Sequence, residues 1–172
     1  MAIVFSSGTL SAPTKLLQVQ QTVISSRFTN ASSNNSWVSM SGFSRSITTI
    51  GSNSKLLITV NMGIVKPDGN TVAFKFQRNG SDVAIGDADG NRVRAMFRAT
   101  DQGTDTAHAD CVSFSFIDQP GGGAGSSYTY QLYFNHEYSG TLYVNRNISY
   151  SNASSAESSV TTSMIQIQEI AP

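Results

Sequence analysis

Apolar side chains recur at every second position through much of this sequence. The pattern is clearest where Leu56, Ile58, Val60, Met62 and Ile64 interleave with Leu57, Thr59, Asn61 and Gly63, the period of a strand with one buried face. That strand runs into Lys66-Pro67-Asp68-Gly69-Asn70, where Pro67 presets φ and Gly69 accepts a positive φ. The chain can then reverse into Val72, Phe74 and Phe76, so residues 55–78 are predicted to form a hairpin. Asn79-Gly80 is the pair best suited to the two positive φ values of a type I′ turn, and Asp87-Ala-Asp89-Gly90 marks another turn after a short Val83, Ile85 pattern.

Similar alternations appear at Leu17 to Ile24, Phe43 to Ile50, Val93/Ala95/Phe97, Val112/Phe114/Phe116, Tyr128/Tyr130/Leu132/Phe134, Leu142/Val144 and Ile165/Ile167. Eight to ten short strands with no helical crossover between them predict an all-β fold, an antiparallel β-sandwich of the jelly-roll kind. Composition agrees: 27 Ser, 15 Thr, 12 Asn and 14 Gly in 172 residues disfavour helices and favour strands and turns. The length fits one domain. We expect residues 1–25 to form an N-terminal docking segment and first strand, and residues 26–172 a single β-sandwich domain.

Eleven basic and eleven acidic side chains cancel, and only 13% of residues are charged. The field that draws proteins to nucleic acid is therefore missing. No stretch approaches the roughly 20 apolar residues of a membrane helix, so no membrane insertion is expected. One cysteine cannot form an internal disulfide, and Met1-Ala-Ile-Val-Phe5 lacks the basic flank and length of a signal peptide. Synthesis and folding in a reducing cytoplasm fit these features.

Chemistry-bearing residues are sparse. His108, Asp110 and Cys111 lie close in sequence, but alternation sets Cys111 on the opposite face from the other two, and a packed thiol is the expected reading. His136 falls near a turn spanning Asn135 to Gly140, where an exposed polar residue is ordinary. Asp87-Ala-Asp89-Gly90-Asn91 resembles the start of a calcium loop but lacks the third spaced acid and the downstream Glu, so a tight turn is expected. Gly121 to Gly125 precedes neither a Lys-Ser/Thr pair nor a helix, which makes it a flexible loop tip rather than a phosphate cradle. The five Asn-X-Ser triplets, at Asn30, Asn34, Asn79, Asn147 and Asn152, are given no function in so Asn- and Ser-rich a chain. No catalytic residue, metal ligand or cofactor is expected.

Two groups are candidates for contact. Arg92, Arg94 and Arg98 share an alternating face that is either solvated or pairs with acids of a neighbouring subunit. Six tyrosines, at 128, 130, 133, 138, 143 and 150, concentrate in the last third, near polar loops at 28–42, 121–127 and 149–158. Trp37, Tyr128 and Tyr150 are the candidate stacking anchors for a surface glycan.

Several motifs follow one another in order along the chain. They are Gly8-Thr-Leu-Ser-Ala-Pro13 leading into Leu16-Leu-Gln-Val-Gln20, Gln77-Arg-Asn-Gly80, Ile85-Gly-Asp-Ala-Asp-Gly90 with Arg92 and Arg94, Phe116-Ile-Asp118 with Pro120, Gly140-Thr-Leu-Tyr-Val-Asn-Arg146, and Ile165-Gln-Ile-Gln-Glu-Ile170. In this order they resemble a family of small structural and fibre-head proteins of tailed bacteriophages, frequent in phages of cyanobacteria. The resemblance implies a homotrimeric jelly roll without enzymatic residues, a virion protein made in the host cytoplasm and joined to other tail or capsid proteins. Because the chain starts at Met1 without a shaft, a fibre head of this kind would dock onto another protein.

The expectation is thus a tail-fibre head or accessory spike that presents loops for host attachment, possible partners being a host surface glycan and other virion proteins. A capsid decoration (cement) protein is the alternative within the same class. A free-standing lectin-like or C1q-like module is the alternative outside it. A glycan depolymerase is disfavoured because the acids sit mostly in turn motifs rather than as a pair.

Overall fold

The structure is a computed structural model that describes residues 15–32, 36–69, 71–100, 110–147 and 159–172. Eleven strands are described: β1 (Leu16–Ile24), β2 (Phe28–Ser32), β3 (Val38–Thr48), β4 (Lys55–Asp68), β5 (Thr71–Arg78), β6 (Ser81–Val83), β7 (Phe97–Thr100), β8 (Asp110–Asp118), β9 (Ser127–His136), β10 (Gly140–Val144) and β11 (Ser163–Ile170). All pair antiparallel, in two sheets. The first sheet has neighbours β1-β11-β4-β8, with β10 and β2 extending it beside β4; the second has β3-β9-β5-β7, with β6 also beside β5. The chain crosses between sheets at almost every principal connection, and the resulting strand order is that of a jelly roll.

The alternation read from the sequence places the core. Leu56, Ile58, Val60 and Met62 of β4 face Val72, Phe74 and Phe76 of β5 and Tyr130, Leu132 and Phe134 of β9, all essentially inaccessible. Residues 55–78 are nevertheless not a hairpin, because β4 and β5 lie in opposite sheets. The reason is edge occupancy: β11 and β10 pair along one edge of β4, and β8 pairs Leu56 to Val65 along the other, so most of β4 is taken before β5 could join it. The Pro67–Gly69 reversal is instead an arch between sheets.

The Asn79-Gly80 turn forms as expected, with φ of 48° and 86° between the paired residues Arg78 and Ser81. Other expectations are corrected. The Ser/Asn-rich segment 28–42 is largely strand, anchored by buried Phe28 and Met40, and the Val93/Ala95/Phe97 alternation becomes strand only from Phe97. The Gly121–Gly125 segment is tied down rather than loose: Thr49 and Asn53 donate to Ser126 and Gly122, and Gly125 donates to Thr49. A Cβ on Gly122 would collide with the Tyr128 hydroxyl and the Ser126 side chain, so any larger residue there would force both to shift.

Aromatic rings bridge the sheets. Phe74 stacks on Phe97 at 4.6 Å, Phe97 meets Phe114 at 5.8 Å, and Phe114 and Phe116 lead back to Phe76. Phe114 points to the core side as the alternation required, but it is half-buried at the margin. Phe74→Ala is therefore expected to cost about 3–5 kcal/mol, and Phe114→Ala about 2 kcal/mol, because a partly open site leaves less cavity. Urea midpoints check this; equal losses would contradict the marginal position of Phe114.

Buried polar groups close the ends of the sandwich. Asp118 at the end of β8 accepts from Arg78 at 2.6 Å and from the Tyr130 hydroxyl at 2.7 Å, joining the two sheets. Burial, with the Asp118 carboxylate close by, pushes the Tyr130 phenol well above its ordinary range. At the same end, Glu169 is buried among donors from β1 and the loop between β3 and β4. Asn145 performs the same service at the other end.

Candidate functional site

Outward-pointing residues of the second sheet form the face that gathers most of the candidate contact residues. Since Val72, Phe74 and Phe76 point inward, Thr71, Ala73, Lys75 and Gln77 point outward. Pairing sets Ala73 between Arg98 of β7 and Asn135 of β9 in one cross-strand row. Lys75 lies in the next row, opposite Tyr133.

Residues 84–96, between β6 and β7, fold back over this face. Gly86 donates to the Ala95 carbonyl at 3.1 Å, Met96 to the Phe74 carbonyl at 2.8 Å, and the Arg94 Nε to the Gly86 carbonyl at 2.7 Å. The segment and the sheet enclose a hollow of about 420 Å3, with Arg92, Val93 and Ala95 on the wall and Arg98, Ala73 and Asn135 on the floor. Glu137, just past β9, lines it as well. Asn135 is 3% exposed, and its Nδ2 has no hydrogen-bond acceptor among the described residues.

Beside the hollow, the Lys75 ammonium stands 4.6 Å over the centre of the half-buried Trp37 ring and 2.8 Å from Asp82. Gln77 donates to the same carboxylate at 2.9 Å. Burial pushes the Asp82 carboxyl up, but the hydrogen bonds from Lys75 and Gln77, with the fields of Lys75 and Arg94, outweigh it and hold the group below its ordinary range. The face is thus rimmed by cations with one carboxylate fixed among them.

The structure sorts the sequence candidates. Trp37 precedes β3 and shares this face, although it is engaged by Lys75 rather than free on a loop. Arg92 and Arg94 do not alternate on a strand with Arg98; they reach the same region through the folded-back segment, and Arg92 pairs with Asp89 at 3.1 Å. Asp87 and Asp89 lie in an exposed turn closed by Gly90 (φ 55°), and among the described residues no group of three or more His, Cys, Asp or Glu comes together.

Tyr128 does not belong to the contact face. Even-numbered residues of β9 turn inward, and Tyr128 packs against the core under Arg78, about 20 Å along the strand from the Trp37 end. Tyr150 and His108 lie outside the described residues, as does the whole of the 149–158 loop.

Two further expectations are corrected. His136 is fully buried at the end of β9, edge-on to Phe134 at 6.0 Å, and burial lowers its pKa below the ordinary value against the opposing field of Asp68. Cys111 is exposed instead of packed, its thiol donating to the Gly63 carbonyl at 2.7 Å. Asp110 does point to the opposite side from Cys111. β1 pairs with β11 from Leu16 to Ile24 as the first strand of the 1–25 segment, and residues 1–14 lie outside the described residues.

Asn135, Ala73, Lys75 and Asp82 were missed by sequence reasoning. Each has an unremarkable sequence context, and only the pairing of β6, β7 and β9 with β5 brings them together.

The protein defined by this geometry is a jelly-roll sandwich with a polar hollow on the outer face of one sheet. No protein-family profile and no curated protein sequence matches it. Among solved structures it is similar to the VP2 subviral particle of infectious bursal disease virus, at 12% identity and a TM-score of 0.41, over 99% of this chain and 45% of that one. It is also similar to the T=1 particles derived from infectious bursal virus (12%, TM-score 0.36, over 99% of this chain and 44% of that one) and to the Gt strain of infectious bursal disease virus (14%, 0.36, over 100% and 47%). The chain spans less than half the length of these proteins. Its jelly roll is established by strand order and pairing, independently of this likeness.

Proposed function

We propose that this protein is a non-enzymatic structural component of a tailed-bacteriophage particle, a fibre head or accessory spike whose sandwich presents a recognition face to the host surface. The observation that carries the reading is the placement of Trp37, Arg92, Arg94 and Arg98 around one outer face of a jelly roll, an architecture used repeatedly by capsid and lectin domains. The phage assignment comes from the ordered sequence motifs. The protein functions as a homotrimer joined to other virion proteins and needs no cofactor.

The acids support a structural role. Glu169, Asp118 and Asp82 are each held by fixed donors, whereas glycoside cleavage needs two carboxyls flanking the scissile bond, about 5–10 Å apart.

Gold-labelled antibody imaging of intact particles tests this proposal. Label at the tail tip is the expected result. Label spread across the capsid would replace attachment by capsid decoration, and unlabelled particles would overturn the virion reading in favour of a free-standing lectin-like module.

A further inference from the structure

The hollow over Ala73 carries unused hydrogen-bonding capacity that points to a ligand. Asn135 is buried, yet its Nδ2 donor lacks an acceptor among the described residues. Buried donors are normally satisfied. In the same row, Arg98 is exposed and makes no ion pair among the described residues. Between them Ala73 contributes only a methyl group, which leaves the space open. A longer side chain there would fill the floor.

We propose that this hollow binds a carboxylate-bearing sugar, a uronic-acid unit of a surface polysaccharide. The Arg98 guanidinium offers the planar fork that matches a carboxylate. The Asn135 Nδ2 supplies a donor for a ring or hydroxyl oxygen, and Val93, 48% exposed, gives the C–H face of a sugar ring an apolar wall. Glu137 accepts from hydroxyl groups. That carboxylate also repels multiply charged ligands, and with Arg92 paired to Asp89 it is Arg98 that meets the single carboxylate of a ligand carrying hydroxyl donors. A volume of about 420 Å3 accommodates a small ligand of this class. The inference rests on the attachment reading for its biological setting, but binding itself is read on the purified chain.

Titration of D-glucuronate into the full chain, followed by NMR, is expected to give a dissociation constant of about 1 mM. D-glucose, which lacks the carboxylate, and acetate, which lacks the ring, should each bind at least about tenfold more weakly, the effect of losing one charged hydrogen bond or its geometric partners. Arg98→Gln, at an exposed position that leaves folding intact, should weaken glucuronate by about tenfold or more. Ala73→Leu should abolish binding by occupying the floor. Glucose or acetate binding as tightly as glucuronate, no saturable glucuronate binding, or an Arg98→Gln variant with unchanged affinity would overturn the proposal. A negative titration alongside label at the tail tip removes the ligand class and leaves attachment standing; binding by a protein that labels no particle does the reverse.

Discussion

Glu169→Ala is expected to lower the unfolding free energy by about 4 kcal/mol. The side chain is inaccessible and accepts from the backbone N–H groups of Ile50 and Gly51 at 2.9 Å, from the Ser54 hydroxyl at 2.7 Å and from the Gln18 amide at 2.6 Å. Removing it orphans the buried Ser54 hydroxyl and the part-buried Ile50, Gly51 and Gln18 donors at once, each worth up to about 1–3 kcal/mol, with water entering the vacated space recovering part of the loss. Those donors come from β1 and from the 49–54 loop, which also holds the 121–126 loop. The variant should therefore loosen both loops as well as destabilise the fold, seen as faster amide exchange at Ile50 and Gly51. Glu169→Gln keeps one acceptor oxygen and should cost about half as much.

The same carboxylate sets a pH dependence. Burial pushes its pKa up, but the hydrogen bonds from Gln18, Gly51, Ile50 and Ser54 outweigh burial and hold it below the ordinary 4.5. The folded protein thus binds fewer protons at this site than the unfolded chain. Its stabilisation is complete above pH 4.5 and is lost as pH falls through the depressed folded value. The stability gap between the parent and Glu169→Gln should narrow in that acid window and stay constant near neutrality. A gap that is flat from neutral pH down to pH 2 would show that folding leaves the Glu169 pKa unshifted.

How much of this was legible in sequence follows from what alternation can encode. A two-residue period says which side chains of a strand share a face, and it placed Leu56, Val60, Phe74 and Leu132 in the core. It says nothing about which edges are taken, so β4 and β5 read as a hairpin although β4 already had partners on both sides. It also cannot distinguish polar residues at strand ends. His136 looked exposed because a turn follows it, yet β10 returns against the same end and seals it. The contact face was half legible: Trp37 and the arginines stood out by residue type, whereas Asn135 and Ala73 acquire meaning only from the three-strand row that sets them beside Arg98.

Asn145 gives the second large effect, because one residue there meets two demands that are usually separate. Its backbone holds a φ of 63°, a region costly for most side chains but tolerated by asparagine. Its side chain, fully buried, donates to the Ile24 and Ser26 carbonyls at 2.9 and 3.1 Å and accepts from the Ser163 hydroxyl at 2.6 Å. Its main chain bonds Ile64 and Thr161. The ends of β1, β4, β10 and β11 thus converge on it. Asn145→Ala should cost about 4 kcal/mol, from roughly 1 kcal/mol of backbone strain and the remainder from buried partners left unsatisfied. Asn145→Gly removes the same hydrogen bonds but not the positive φ tolerance, so it should be about 1 kcal/mol less damaging than alanine. Asn145→Asp supplies the acceptor for Ser163 yet sets carboxylate oxygens against the Ile24 and Ser26 carbonyls; at neutral pH it should be at least as damaging as alanine, and it should recover stability relative to alanine on acidification as the carboxyl gains a proton to donate. Urea unfolding of the three variants at two pH values separates the contributions, and an Asn145→Gly as unstable as Asn145→Ala would show that the strain plays no part.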